Sequence, residues 1–214
     1  DSYNTAVGHG AGSEVTTGTG NTLVGGLSGD ALTTGFSNVA IGRNALSTED
    51  TGRKNTAVGF SALELQNSDA DNLNTAVGFY AGGAVTTGTN NTLIGGLAGD
   101  ALTTGSLNTA IGKTALGSDT KGSRSIAVGR NALGTQNFTT ATDSYNIAIG
   151  HNAGLSVTTG THNHLIGGLS GDAITVGLGN VAVGYQSLST ETGGQESVAI
   201  GGNALATQNF SSGK

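Results

Sequence analysis

The chain has 214 residues, 39 of them Gly and none Pro, Cys, Met or Trp, and it carries a net charge of −6 on only 10% charged residues. Eight Lys and Arg, with no run among them that could neutralise a phosphate track, argue against a nucleic-acid partner. No apolar stretch approaches the ~20 residues of a membrane span, which argues against membrane insertion.

Gly at this level often accompanies disorder, but a chain rich in Val, Ile and Thr and modest in charge has the means to bury a core. Without Met or a recognisable secretory signal, the chain reads as a processed product or an excised fragment. The lack of Cys fits an extracellular structural repeat.

The pentapeptide Asn-Thr-Ala-Val-Gly organises the sequence. With small variations it begins at Asn4, Asn21, Asn38, Asn55, Asn74, Asn91, Asn108, Ser125, Asn146, Asn163, Asn180 and Ser197. The spacings are 17, 17, 17, 19, then 17, 17, 17, 21, then 17, 17, 17. Every fourth rung is stretched, so one repeat domain, 1–214, divides into super-repeats 4–73, 74–145 and 146–214.

Within each rung the positions have distinct chemistry. Position 2 is nearly always Thr, Val or Ile, and position 4 is always Val or Ile, from Val7 to Ile200. The two share one face of a short strand, a β-branched surface suited to half-burial. Position 3 points the other way and is Ala, or Leu in the second rung of each super-repeat (Leu23, Leu93, Leu165). Position 5 is Gly in all twelve rungs, which marks a backbone corner with φ > 0 or no room for a Cβ. Position 8 is Ala or Ser throughout, a second tight inward site, and Gly at position 15 closes a Thr-Thr-Gly turn in most unstretched rungs.

One such rung cannot bury its own apolar side, so it must stack on its neighbours. The predicted fold is an all-β β-solenoid, a β-roll or β-helix of twelve ~17-residue rungs. At ~4.8 Å per rung it makes a rod of roughly 58 Å. The thin core of one coil argues for oligomerisation.

The pattern Asn-Thr-Ala-Val-Gly-x-x-Ala-Leu…Thr-Thr-Gly, which covers nearly the whole chain, resembles repeats in phage tail-fibre and tailspike shafts. It is similar to shorter-period repeats in the heads of trimeric autotransporter adhesins. The resemblance implies a parallel homotrimer, extracellular on a virion tail or cell surface. Its expected role is that of a structural and adhesive fibre module for attachment to a cell surface, with a cell-surface glycan among its expected partners.

Three other readings stay open. Asp1-Ser2-Tyr3 matches Asp143-Ser144-Tyr145, so Lys214 followed by Asp1 would complete a 21-residue rung in phase, as in a filament subunit stacking head to tail. The three super-repeats would also suit a single chain closed on itself with pseudo-three-fold symmetry. Thr16, Thr33, Thr86, Thr103 and Thr158 form the kind of Thr ladder that an ice-binding solenoid uses.

No catalytic arrangement is recognisable: Cys, Gly-x-Ser-x-Gly and the phosphate-loop signature are all absent, and the chain reads as a non-enzyme. Candidate binding residues lie in the stretched fourth rungs, where Phe138, Tyr145 and Phe210 sit among Gln, Asn and Thr. They would either face a glycan or, for Phe138 and Phe210, fold back over the solenoid. His162 and His164 form a His-x-His pair that would share one strand face. On a three-fold axis three chains would offer six nitrogens to a transition-metal ion, a use that the tail-fibre resemblance also implies. Asp30, Asp100 and Asp172 recur in Gly-x-x-Gly-Asp-Ala and read as corner caps rather than a calcium loop. The charged third-rung turns (Glu49, Asp50, Arg53, Lys54; Asp119, Lys121, Arg124) read as a solvated face.

Overall fold

The computed structural model describes residues 2–210, and among these the chain is all-β. Twelve three-residue strands, from Thr5–Val7 in rung 1 to Val198–Ile200 in rung 12, form one parallel sheet in chain order. Each strand pairs in register with the next rung, as in Thr75↔Thr92, Ala76↔Leu93 and Val77↔Ile94. The predicted β-solenoid of twelve rungs is therefore the observed fold. Because the first and last strands are opposite edges of the sheet, the chain does not close on itself, and the closed pseudo-three-fold reading is corrected. The proposed junction between Lys214 and Asp1 lies outside the described residues.

The corner at position 5 explains why Gly is invariant there. Gly95 has φ +132, and a Cβ on it would stand 2.7 Å from the carbonyl carbon and oxygen of Gly112 one rung on. Both the backbone conformation and the stacked neighbour exclude a side chain.

The two sheet faces are now assigned. Position 3 points inward: Ala40, Ala57, Ala76, Leu93 and Leu165 are fully buried. Position 8 is buried beside it, through Ala45, Ala81 and Ser170. Position 9 sets the layer thickness. It is Gly in first and second rungs and Leu in third and fourth, and each second-rung Leu fills the space that those Gly leave. The Leu93 Cδ1 lies 2.6 Å from where a Gly82 Cβ would be, and its Cδ2 lies 2.7 Å from that of Gly99. Leu46, Leu63, Leu116 and Leu133 occupy position 9 elsewhere, fully buried. Large residues alternate with gaps from rung to rung, which keeps the core dense although most of it is Ala. Positions 2 and 4, the β-branched pair, point outward.

Position 1 is a buried amide ladder. The Asn91 backbone N–H donates to Asn74 Oδ1 (2.8 Å), the Asn91 Nδ2 donates to the Gly105 carbonyl (2.9 Å), and Asn108 N–H donates in turn to Asn91 Oδ1 (3.0 Å). Asn91 thus ties its strand to the position-15 Gly of its own rung and to the rung before, and Asn21, Asn38, Asn108, Asn163 and Asn180 do the same. Where Ser125 interrupts the ladder, Gln136 bridges the gap, donating to Ser125 Oγ (2.8 Å) and accepting from Asn146 Nδ2 (2.8 Å).

Candidate binding surfaces

The stretched rungs are held by three carboxylates, two of which, Glu49 and Asp119, the sequence reading placed at the surface. Glu49, Asp119 and Glu191 are fully buried, all at position 12 of a third rung. Asp119 Oδ1 accepts from the N–H of Gly122 (3.0 Å) in its own turn and of Phe138 (3.0 Å) in the next, and its Oδ2 accepts from Gln136 Nε2 (2.6 Å). Glu49 accepts from Gly52 N (2.8 Å), Ser68 N (3.3 Å) and Asn72 Nδ2 (2.9 Å). Glu191 accepts from Gly194 N (2.7 Å) and Phe210 N (2.9 Å). Each carboxylate clamps the turn of the third rung to the longer turn of the fourth. The solvated-face reading is corrected for Glu49 and Asp119. It stands for Lys54, which pairs with Asp71 (2.5 Å), and for Arg124, which pairs with Asp143 (3.1 Å).

Burial raises the Glu49 carboxyl above its ordinary 4.5, against the pull of its N–H donors. The sign follows from linkage. Between 4.5 and the raised folded value the folded chain keeps a proton that the unfolded chain has released. The contribution of Glu49 to stability therefore falls as pH rises through that window. Asp71, whose carboxyl the Lys54 hydrogen bond holds below 3.8, acts oppositely, and its contribution is lost only as pH falls beneath 3.8. Urea midpoints across this pH range are expected to show a smaller decline for Glu49→Gln than for the wild type; equal slopes would contradict the assignment.

The aromatic candidates separate. Phe138 is 5% exposed, with its ring over Gly122, whereas Tyr145 and Phe210 remain exposed. Tyr145 lies in a column with Arg124 (5.8 Å from guanidinium carbon to ring centre) and His162 (5.3 Å between ring centres). This contact alters the His-x-His picture. The strand begins at His164 (His164–Ile166), and His162 precedes it in a left-handed turn, φ +60, with its ring stacked on Tyr145. The two imidazoles thus do not share one strand face. His164 alone stands on the outward face of the sheet, between Ile147 and Val181. Among the described residues no three His, Cys, Asp or Glu come together as a metal site.

Asp30, Asp100 and Asp172 stand four rungs apart, ~19 Å. Burial raises the Asp100 and Asp172 carboxyls, and each accepts from its own backbone N–H. The Thr ladder turns its hydroxyls along the rod: Thr16, Thr86, Thr103 and Thr158 donate to the carbonyl one rung on at 2.9–3.1 Å, and Thr33 donates to Asp50.

The outward side of the sheet is a continuous surface along the described rungs. Its position-4 column keeps Ile41, Val77, Ile94, Ile111, Ile149 and Ile166 at 36–40% exposure, with the remaining Val and Ile of the column in line. No enclosed pocket forms among the described residues. Fold and surface together define a β-solenoid repeat protein. Comparison of the chain with protein-family models, curated proteins and solved structures finds no match.

Proposed function

We propose that the chain is a structural and adhesive rod, a homotrimeric fibre module of the phage tail-fibre or adhesin-head type that attaches to a cell surface from outside. The observation that carries this reading is the outward β-branched column. An apolar stripe running the length of a twelve-rung sheet and facing water is the signature of a surface that meets another chain. In-register stacking repeats the same side chain every ~4.8 Å, so parallel copies would meet like residue to like at each rung. The three-fold count comes from the resemblance of the repeat, and no catalytic role is assigned. Ile94→Lys with Ile111→Lys is expected to convert a trimer to single chains with the far-UV circular dichroism preserved. Unchanged mass would place the interface elsewhere.

Three such copies would bring three His164 imidazoles together, a donor set that suits a transition-metal ion. His162 is outside that set, because it belongs to the turn and to Tyr145. On this reading EDTA lowers the thermal midpoint of the wild type and leaves His164→Thr unmoved; an EDTA-insensitive wild type would remove the metal.

A further inference from the structure

Acidic side chains are missing from one side of every rung. Positions 1–9 of the twelve rungs hold no Asp or Glu, yet they hold Arg43, Lys113 and Arg130; all fourteen Asp and Glu lie outside these positions, with the other five Lys and Arg. All three cations stand at position 6, just past the Gly corner, and all are exposed. None has an ion-pair partner among the described residues, in contrast to Arg53, Lys54 and Arg124. The column is in register: the Arg43 carbonyl accepts from Ser61 N–H (2.9 Å), that of Phe60 from Tyr80 N–H (2.8 Å) and that of Lys113 from Asn131 N–H (3.1 Å).

Phe60, Phe79 and Tyr185 stand in the same column, with His9 and His151. Phe60 and Phe79 stack with ring centres 5.5 Å apart and planes 12° from parallel, and the Arg43 guanidinium lies 5.9 Å from the Phe60 ring centre. Phe79 and Tyr185 are 58% and 57% exposed, unusual for side chains that gain so much from burial.

The glycines of the same column are unlike the others in the fold. In the second rung of each super-repeat, position 6 is Gly26, Gly96 or Gly168. Their φ angles are not left-handed. A Cβ on Gly96 would meet nothing within 4 Å, and one on Gly26 only the His9 carbonyl at 4.0 Å. Neither conformation nor packing calls for Gly there. What Gly leaves is an open notch in a row of large side chains, between Phe79 and Lys113 at Gly96, His9 and Arg43 at Gly26, and His151 and Tyr185 at Gly168. These three notches recur every four rungs, ~19 Å, and Gly202 opens another two rungs past Gly168, in the last rung. Gly96 and Gly168 are each flanked by an aromatic ring and a cation or imidazole, and Gly26 by an imidazole and a cation.

We propose that the position-6 column is a binding track for a linear acidic polysaccharide. Sugar faces lie on the rings at the glycine notches, and acidic groups meet Arg43, Lys113 and Arg130. A nucleic acid would present a phosphate at every step, and three cations along ~58 Å of rod do not answer that density. A polysaccharide carries sparser charge and an apolar sugar face at every unit. The proposal takes its biological setting from the attachment reading and its chemistry from the column alone.

The test is titration of the full chain with polygalacturonate, dextran sulfate, neutral dextran and single-stranded DNA. At least one acidic polysaccharide is expected to bind, more weakly as salt rises. The combined variant Arg43→Gln, Lys113→Gln, Arg130→Gln is expected to bind about tenfold more weakly or worse. Gly96→Leu should also weaken binding, with the thermal midpoint unchanged. No binding of either acidic polymer, equal binding by both variants, or tighter binding of DNA would overturn the track. Sedimentation of the same samples keeps the two readings apart: binding retained by single chains would remove the trimer and leave the track, and binding lost at constant trimer mass would be charged to the column.

Discussion

Gly95→Ala is expected to destabilise the rod by about 3 kcal/mol or more, while Gly96→Ala, one residue on, stays within about 0.5 kcal/mol of the wild type. The contrast isolates what holds the stack. At Gly95 an added Cβ meets the Gly112 carbonyl at 2.7 Å and must adopt φ +132, a conformation nearly closed to L-residues. The rung can relieve the overlap only by moving away from its neighbour, which breaks the ladder bonds Gly95 N–H to Val77 O (2.8 Å) and Gly112 N–H to Ile94 O (2.7 Å). At Gly96 the Cβ enters open space. Chemical unfolding of the two variants decides it. Similar midpoints would mean that the corner relaxes freely and that the repeat needs Gly for some other reason.

The second large effect is at the buried carboxylates. Asp119→Ala is expected to cost about 3–5 kcal/mol, because it strands Gly122 N–H, Phe138 N–H and one of the two Gln136 Nε2 hydrogens, the other staying on Ser125 Oγ. Buried N–H groups without an acceptor pay their full desolvation cost, and Phe138 would lose the anchor that sets its ring over Gly122. Asp119→Asn keeps the Oδ1 acceptor and should cost less. Alongside unfolding curves, a broad-specificity protease should cut Asp119→Ala within 137–143 well before the wild type. If cleavage and stability are unchanged, the clamp is not what holds the stretched rung.

Much of this architecture was legible in the repeat, since a residue type recurring at one position of twelve rungs reports the environment of that position. Invariant Gly at position 5 and Ala or Ser at position 8 were read correctly for that reason. The direction of the two sheet faces was not legible. Alternation places Thr5 and Val7 opposite Ala6, but Ala and Val are both apolar enough for either side. The deciding signal is volume: Leu23, Leu93 and Leu165 sit where position 9 is Gly in their own and the preceding rung.

Glu49 and Asp119 were misplaced because charge normally means surface. Reading position 12 down the stack corrects this, since Val85, Leu102, Asp119 and Gln136 follow one another in the column, as Val157, Ile174, Glu191 and Gln208 do. An acid and then an amide in an otherwise apolar column mark a buried polar pair. His162 was placed on the strand by spacing alone, which cannot show that a residue at position 17 takes φ +60.

The central claim is that the outward Val and Ile column is an interface between copies. The most direct test is the molar mass of the wild-type chain by sedimentation equilibrium over a wide concentration range. The account predicts a constant mass of three 20.8 kDa chains. A mass that climbs with concentration would favour head-to-tail filaments, and a stable single chain would contradict the claim, leaving the apolar column open to water.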